Sequence, residues 1–227
     1  MFRTTLGSSG RALLVAAMAV ALVGCGGDGK ESAKPKPTPK AERTNGPGSY
    51  QPPNRLCDVI DFSELATAVG PLRGKAASHE TGADPAKSSG SECKQSLGNG
   101  RDRYARAVVH CTAWAQVGEA IRMHEYAKES AVTDKNGTVA VPGVGRQAFR
   151  FVSAEKGVWK DDLRMIVRDS NLDCEIHVQS GHPRDERTMD ARDKDIAFAA
   201  MGDTLKDLLP KLAAVSNGNG ARARPLL

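Results

Sequence analysis

The chain has 227 residues, 40% of them hydrophobic and 4% aromatic, with a formal net charge of +5. A chain of this length is expected to hold one folded domain. Its lysines and arginines are scattered among acids rather than clustered, so no basic face of the kind nucleic acids require is visible.

Residues 1–24 have the layout of a secretory signal peptide. Arg3 and Arg11 precede an apolar run from Ala12 to Val23, and small residues follow. The run falls short of the roughly 20 apolar residues a spanning helix needs, and Gly26-Gly27-Asp28-Gly29 ends it. No twin-arginine pair precedes it, which favours export as an unfolded chain. Leu22-Val23-Gly24-Cys25 resembles the lipobox of bacterial lipoproteins, where the Cys thiol receives a diacylglyceryl group and the preceding segment is removed. The resemblance implies lipidation at Cys25 and a place on the outer face of the cytoplasmic membrane. One acyl chain binds a membrane only marginally, at ~0.8 kcal/mol per buried methylene, so two chains make the attachment durable. Cleavage would remove two arginines and no acid, leaving +3.

Residues 25–54 read as the lipidated Cys and a disordered tether. The stretch is rich in Gly, Pro, Lys and Ser, alternates as Lys34-Pro35-Lys36-Pro37-Thr38-Pro39-Lys40, and has no large aliphatic residue to bury. Its reach lies between roughly 30 Å as a coil and roughly 90 Å extended. Lys30, Lys34, Lys36, Lys40 and Arg43 are offset by three acids, so attraction to anionic lipid is weak.

The folded domain is expected over 55–215. Asp61-Phe62-Ser63-Glu64 has the spacing of a capping box, with Ile60 and Leu65 at the positions of a hydrophobic staple. Phe62, Leu65, Ala66 and Val69 form a helical stripe, and Gly70-Pro71 stops it. Gly74 to Ser91 is polar and reads as a loop. Glu92–Leu97 and Arg103–Thr112 read as a hairpin about Asn99-Gly100, whose residues both accept positive φ. A second helix is expected from Gln116 to Ser130, with Val117, Ala120, Ile121 and His124 on one side. Asn136-Gly137 marks a turn.

Gln147–Val152, Leu163–Arg168 and Leu172–Gln179 read as strands, the last two joined at Ser170-Asn171. In the last strand Leu172, Cys174, Ile176 and Val178 face one way; Asp173, Glu175, His177 and Gln179 face the other. A final helix begins near Asp190, with Phe198, Met201, Leu205, Leu208 and Leu212 as its buried stripe. Pro210 is expected to kink or end it. Residues 216–227 read as a disordered tail. The expected fold is α+β, in the order α-β-β-α-β-β-β-α. About five antiparallel strands would carry helices on one face and leave the other solvated.

Beyond Cys25 there are four cysteines, Cys57, Cys93, Cys111 and Cys174, an even number that in an oxidising compartment reads as two disulfides with three possible pairings. Cys111 and Cys174 both lie on apolar strand faces, and a Cys57–Cys93 bridge would close the excursion around the first helix. Cys57–Cys93 with Cys111–Cys174 is therefore the favoured set.

Among His79, His110, His124, His177 and His182, only His110 and His177 are metal candidates. Each sits on the strand face opposite a cysteine, and Asp173 or Glu175 could complete a site. A solvated pair of histidines is the simpler reading, and His124 reads as a packed core residue. No His-Glu-x-x-His, Gly-x-Ser-x-Gly or phosphate-loop spacing occurs, and Val141-Pro142-Gly143-Val144-Gly145 lacks the Lys of the last. Asp161-Asp162 and the Asp190, Asp193, Asp195 cluster have the form of paired carboxylates, but helix capping and the dipole explain Asp190 and Asp193, and none of them carries a catalytic reading. No catalytic residue and no cofactor is implied.

Leu56-Cys57, the first helix ending Val69-Gly70, Cys93, Val141 to Gly145 leading into Ala148-Phe149, and the last helix ending Leu208-Leu209 together resemble a group of small actinobacterial cell-envelope lipoproteins of unassigned function. Many members carry Trp two residues after the second Cys; Gln95 stands there in this chain. The resemblance implies secretion, lipidation and a disulfide-tied α+β domain, and it supplies no catalytic residues. The expected function is a membrane-anchored lipoprotein presenting a non-catalytic binding domain. Its partners would be the membrane, through the lipid, and an envelope protein docking on the exposed sheet face or the loops Gly74–Ser91 and Ser180–Met189. The alternatives are a solute- or metal-binding lipoprotein serving a transporter, and an envelope hydrolase.

Overall fold

The computed structural model describes residues 45–84, 87–98, 104–132, 137–153, 159–181 and 189–219. Cys25, the expected signal segment, His182, the Asn99-Gly100 turn and residues 220–227 lie outside them. After a 3-10 turn at Leu56–Asp58, the elements run α1 (Ser63–Val69), β1 (Leu72–Asp84), β2 (Ser88–Leu97), β3 (Ala105–Trp114), α2 (Val117–Val132), β4 (Val139–Ala140), β5 (Gln147–Val152), β6 (Asp161–Asp169), β7 (Leu172–Ser180) and α3 (Ala191–Asn219).

The fold is α+β, built on one antiparallel sheet in the order β1-β2-β3-β7-β6-β5-β4. Two meanders, β1-β2-β3 and β4-β5-β6-β7, meet where β3 pairs with β7. Seven strands replace the expected five. β1 falls in the segment read as a loop; it is an edge strand paired with β2 only, and most of its side chains are exposed, so no apolar alternation marks it. β4 is two exposed residues long, too short to leave a periodic signal.

One sheet face builds the main core. Cys93, Val109, Cys111, Met165, Cys174 and Ile176 point into it, and α1 and α3 cover it with Leu65, Val69, Met201, Leu205 and Leu208. Burying each of these large aliphatic side chains stabilises the fold by roughly 1.5–3 kcal/mol. The Asp190 carboxylate accepts the Asp193 N–H at 2.8 Å and caps α3, and Asp61 accepts the Ser63 N–H at 2.9 Å at the start of α1. The α3 helix runs through Pro210 instead of ending there. Pro210 is exposed, so the carbonyl left without its helical donor faces water.

The opposite sheet face is not left to solvent. The α2 helix crosses it, and Ala127 and Ala131 pack on Phe149, Phe151 and Ile166 as a second, smaller apolar cluster. Helices therefore lie on both faces, which corrects the one-sided packing expected above. Val117 and Ala120 are buried and give α2 the apolar side that had to find a surface.

Cys57 is bridged to Cys93, and Cys111 to Cys174. Cys111 and Cys174 stand directly opposite on β3 and β7, Cα atoms 4.1 Å apart. Two disulfides place the domain in an oxidising compartment. Among the described residues no helix is long and apolar enough to cross a membrane. The stretch before the 3-10 turn is fastened to the domain: Val117 N–H donates to the Gly46 carbonyl, Ser49 N–H to Ser170 Oγ, and the buried Tyr50 bonds both Asp169 and Asn171.

Candidate functional site

Where α2 crosses the second sheet face it encloses a pocket of about 210 Å³. Its floor is His110, Thr112 and Trp114 from β3 with Asp173 and Glu175 from β7; Met123, His124 and Ala127 of α2 form the roof, and Ile166 closes one side. The strand register explains the convergence. His110 pairs with Glu175 and Thr112 with Asp173, so four polar side chains of alternating positions share one patch. Helical spacing puts Met123, His124 and Ala127 on one side of α2, facing down onto it.

The two histidines singled out by sequence are brought to this patch. His110 and His177 flank Glu175, because Val108 rather than His110 is the direct partner of His177. His177 Nε2 lies 2.5 Å from Glu175 Oε1. His110 Nε2 turns instead to hydroxyls, at 2.8 Å from Thr81 Oγ1 and 3.4 Å from Thr112 Oγ1. The Nε2 atoms of the two rings are thus engaged by separate partners. Among the described residues no group of three His, Cys, Asp or Glu is placed to hold one.

The electrostatics follow from burial under α2. Burial pushes the His110 imidazole below its ordinary pKa, against the pull of Glu175 and Glu92, so the ring is neutral at pH 7. Burial also opposes ionisation of Glu175, but the His177 hydrogen bond, with His177, Arg164 and His110 nearby, outweighs it and holds the carboxyl below its ordinary value. Asp173 goes the other way: burial dominates the attraction of His124 and Arg168, and its pKa is raised.

Asp173 Oδ2 accepts the Trp114 indole N–H at 3.1 Å. Its Oδ1 faces His124 Nδ1 at 3.4 Å, an ion-pair distance without hydrogen-bond geometry, and both atoms are buried without a hydrogen-bond partner among the described residues. The His124 side chain is only 2% exposed, so the core reading of that residue holds, although it is also part of the pocket roof. It meets Phe149 edge-on, ring centroids 5.1 Å apart.

Thr81 and His110 make a hydroxyl–imidazole contact but not a relay. Glu175 is hydrogen-bonded to His177, Glu92 pairs with Lys94 at 2.6 Å, and no carboxylate orients the His110 ring among the described residues. Asp161 and Asp162 point to opposite faces. Asp161 accepts the Met189 N–H at 2.7 Å and meets Lys194 at 3.0 Å, while Asp162 receives Arg164 at 2.9 Å. The Val141–Gly145 loop is structural: Val144 is buried, and a Cβ on Gly145 would lie 2.6 Å from Val167 Cγ2.

Trp114, Met123 and Ile166 had no place in the sequence reading of a site. Ile166 carried a usable signal, an aliphatic residue on the otherwise charged side of β6. No protein-family model matches the chain, and no curated protein is significantly similar to it.

Proposed function

We propose that this chain is an exported lipoprotein displaying a non-catalytic binding domain at the outer face of the cytoplasmic membrane. In this reading Cys25 carries the lipid, the Pro/Lys-rich stretch is the spacer, and an envelope component supplies the partner or ligand. Similarity of Leu22-Val23-Gly24-Cys25 to the lipobox supports the address, and the pair of disulfides supports passage into an oxidising compartment.

One observation carries the binding reading: a pocket with apolar walls and a few convergent polar groups, roofed by a helix. The same pocket favours the solute-binding form of the proposal over docking of a protein on an open sheet face, because α2 already covers part of that face. Two measurements test it. In its native host the protein should enter the detergent phase and carry a diacylglyceryl mass, and Cys25→Ser should move it to the aqueous phase. An unacylated Cys25 in native material overturns the anchor. A fragment screen by NMR should give hits that shift Trp114 and Glu175, and hits mapping only elsewhere remove the pocket from the argument.

A further inference from the structure

We infer that the pocket under α2 is built for a small organic cation, a primary amine of about benzylamine size. This deepens the binding reading above and rests on it.

The inference starts from donors and acceptors. The pocket's polar lining is rich in acceptors: the Asp173 and Glu175 carboxylates and one ring nitrogen of the neutral His110, beside the Thr112 hydroxyl, which can give or accept. Its strongest donor, the Trp114 indole N–H, is already given to Asp173 Oδ2. Asp173 Oδ1 and His124 Nδ1, 3.4 Å apart, are without hydrogen-bond partners among the described residues although His124 is 98% out of solvent, an arrangement that costs free energy. A ligand that satisfies Asp173 Oδ1 must therefore bring a hydrogen.

Charge points the same way. The cations beside the two carboxylates also serve other acceptors. Arg164 donates through Nε and Nη2 to Asp162 Oδ2, and Arg168 donates to the Gln147 amide oxygen and the Ser170 carbonyl. Arg164 lies 3.7 Å from Glu175 and Arg168 attracts Asp173, yet at Asp173 burial outweighs that attraction and works against the negative charge. An ammonium at Asp173 would complete that carboxylate's contacts, and Trp114 would supply the aromatic wall that cations favour.

Size and shape set the rest of the molecule. An apolar cavity of roughly 150 Å³ holds benzene, so about 210 Å³ takes a ring or short chain with one polar group attached. Met123, Ala127 and Ile166 offer that ring an apolar seat. A drug-sized or disaccharide-sized ligand does not fit, since such sites occupy roughly 300–1,000 Å³.

The test uses the full chain purified in a non-ionic detergent, titrated with benzylamine, benzyl alcohol and benzoate while the Trp114 indole N–H signal and the heat of binding are followed. Benzylamine should bind most tightly, and Asp173→Asn should weaken it roughly tenfold to a hundredfold, the range for a lost charge-assisted hydrogen bond. Met123→Trp, which fills the pocket from the roof without touching a carboxylate, should abolish binding and covers the case in which Asp173→Asn does not fold. Preferential binding of benzyl alcohol or benzoate, with the Trp114 signal shifting, overturns the cation while leaving a ligand pocket. Silence of that signal to all three compounds overturns the cation and the pocket together.

Discussion

Asn171 holds Tyr50 by both of its peptide groups: its Oδ1 accepts the Tyr50 N–H at 2.9 Å, and its Nδ2 donates to the Tyr50 carbonyl at 2.9 Å. The same Nδ2 donates to the Trp114 carbonyl at 2.8 Å. One buried turn residue thus ties the incoming chain, the β6–β7 hairpin and the end of β3 together, beside the pocket. Asn171→Ala should lower stability by about 2–4 kcal/mol, since it leaves buried backbone groups without partners. Asn171→Asp should be no milder at neutral pH, because a carboxylate has no donor for the two carbonyls. Urea denaturation measures both, and a loss below about 1 kcal/mol would show the clamp to be incidental. Limited proteolysis before Tyr50 should accelerate in parallel.

The disulfides should dominate the stability of the domain. They join residues 36 and 63 positions apart, and in the chain-entropy model each contributes about 4 kcal/mol. Against a typical domain stability of about 5–15 kcal/mol, loss of both should leave the chain unfolded or nearly so at 37 °C. Cys111 and Cys174 are at most 1% exposed, whereas Cys57 is half-buried. Graded reduction followed by mass analysis should therefore open Cys57–Cys93 first; the reverse order would contradict the burial argument.

Stability should fall as the pH drops below neutrality, through His110. Its folded pKa lies below the ordinary 6.5, so the unfolded chain binds the extra proton first. That contribution is complete above 6.5 and is lost as pH falls through the folded value. Glu175, lowered from 4.5, adds a loss of the same sign below that pH. Asp173, raised from 3.8, opposes it, because there the native state takes up the proton first. Urea midpoints measured between about pH 7 and 5 should decline in the wild type and flatten in His110→Gln. An unchanged slope would separate His110 from the effect.

The main core could be read from the sequence because period-2 and helical stripes mark it directly. Leu172, Cys174, Ile176 and Val178 alternate with polar residues, and the same alternation put Cys111 and Cys174 on one face where they are bridged. The second face was harder. Ile166, Phe149 and Phe151 mark the part of it beneath α2 as apolar, and charged residues such as Arg164, Arg168 and Arg150 stand within two positions of them in sequence. Which helix would cross it depends on contacts distant in the chain. The pocket inherits that difficulty: His110, Trp114, Met123 and Asp173 meet only through strand pairing and the path of α2, which no local pattern encodes. Edge strands such as β1 face water along most of their length, so their strand character comes from a hydrogen-bonded neighbour and leaves no hydrophobic trace.

Pro210 offers a prediction in the opposite direction, a substitution that stabilises. It sits inside α3 between the buried Leu208, Leu209 and Leu212, and it cannot donate to the carbonyl one turn before it. The turns around it are still held: Lys211 Nζ reaches the Val59 carbonyl at 3.3 Å, and Leu212 packs in the main core. Helix-interior proline costs about 3 kcal/mol relative to alanine in an unconstrained helix. Removing it also frees the unfolded chain, which offsets about 0.4–1 kcal/mol. Tertiary contacts at Lys211 and Leu212 hold the helix on its present path, so the full hydrogen bond is not regained in Pro210→Ala. The expected gain is about 1–2 kcal/mol, read as a higher urea midpoint at unchanged slope. A lower midpoint would mean that the proline sets the angle at which Lys211 and Leu212 meet the core, and that the geometry it imposes is worth more than the hydrogen bond it removes.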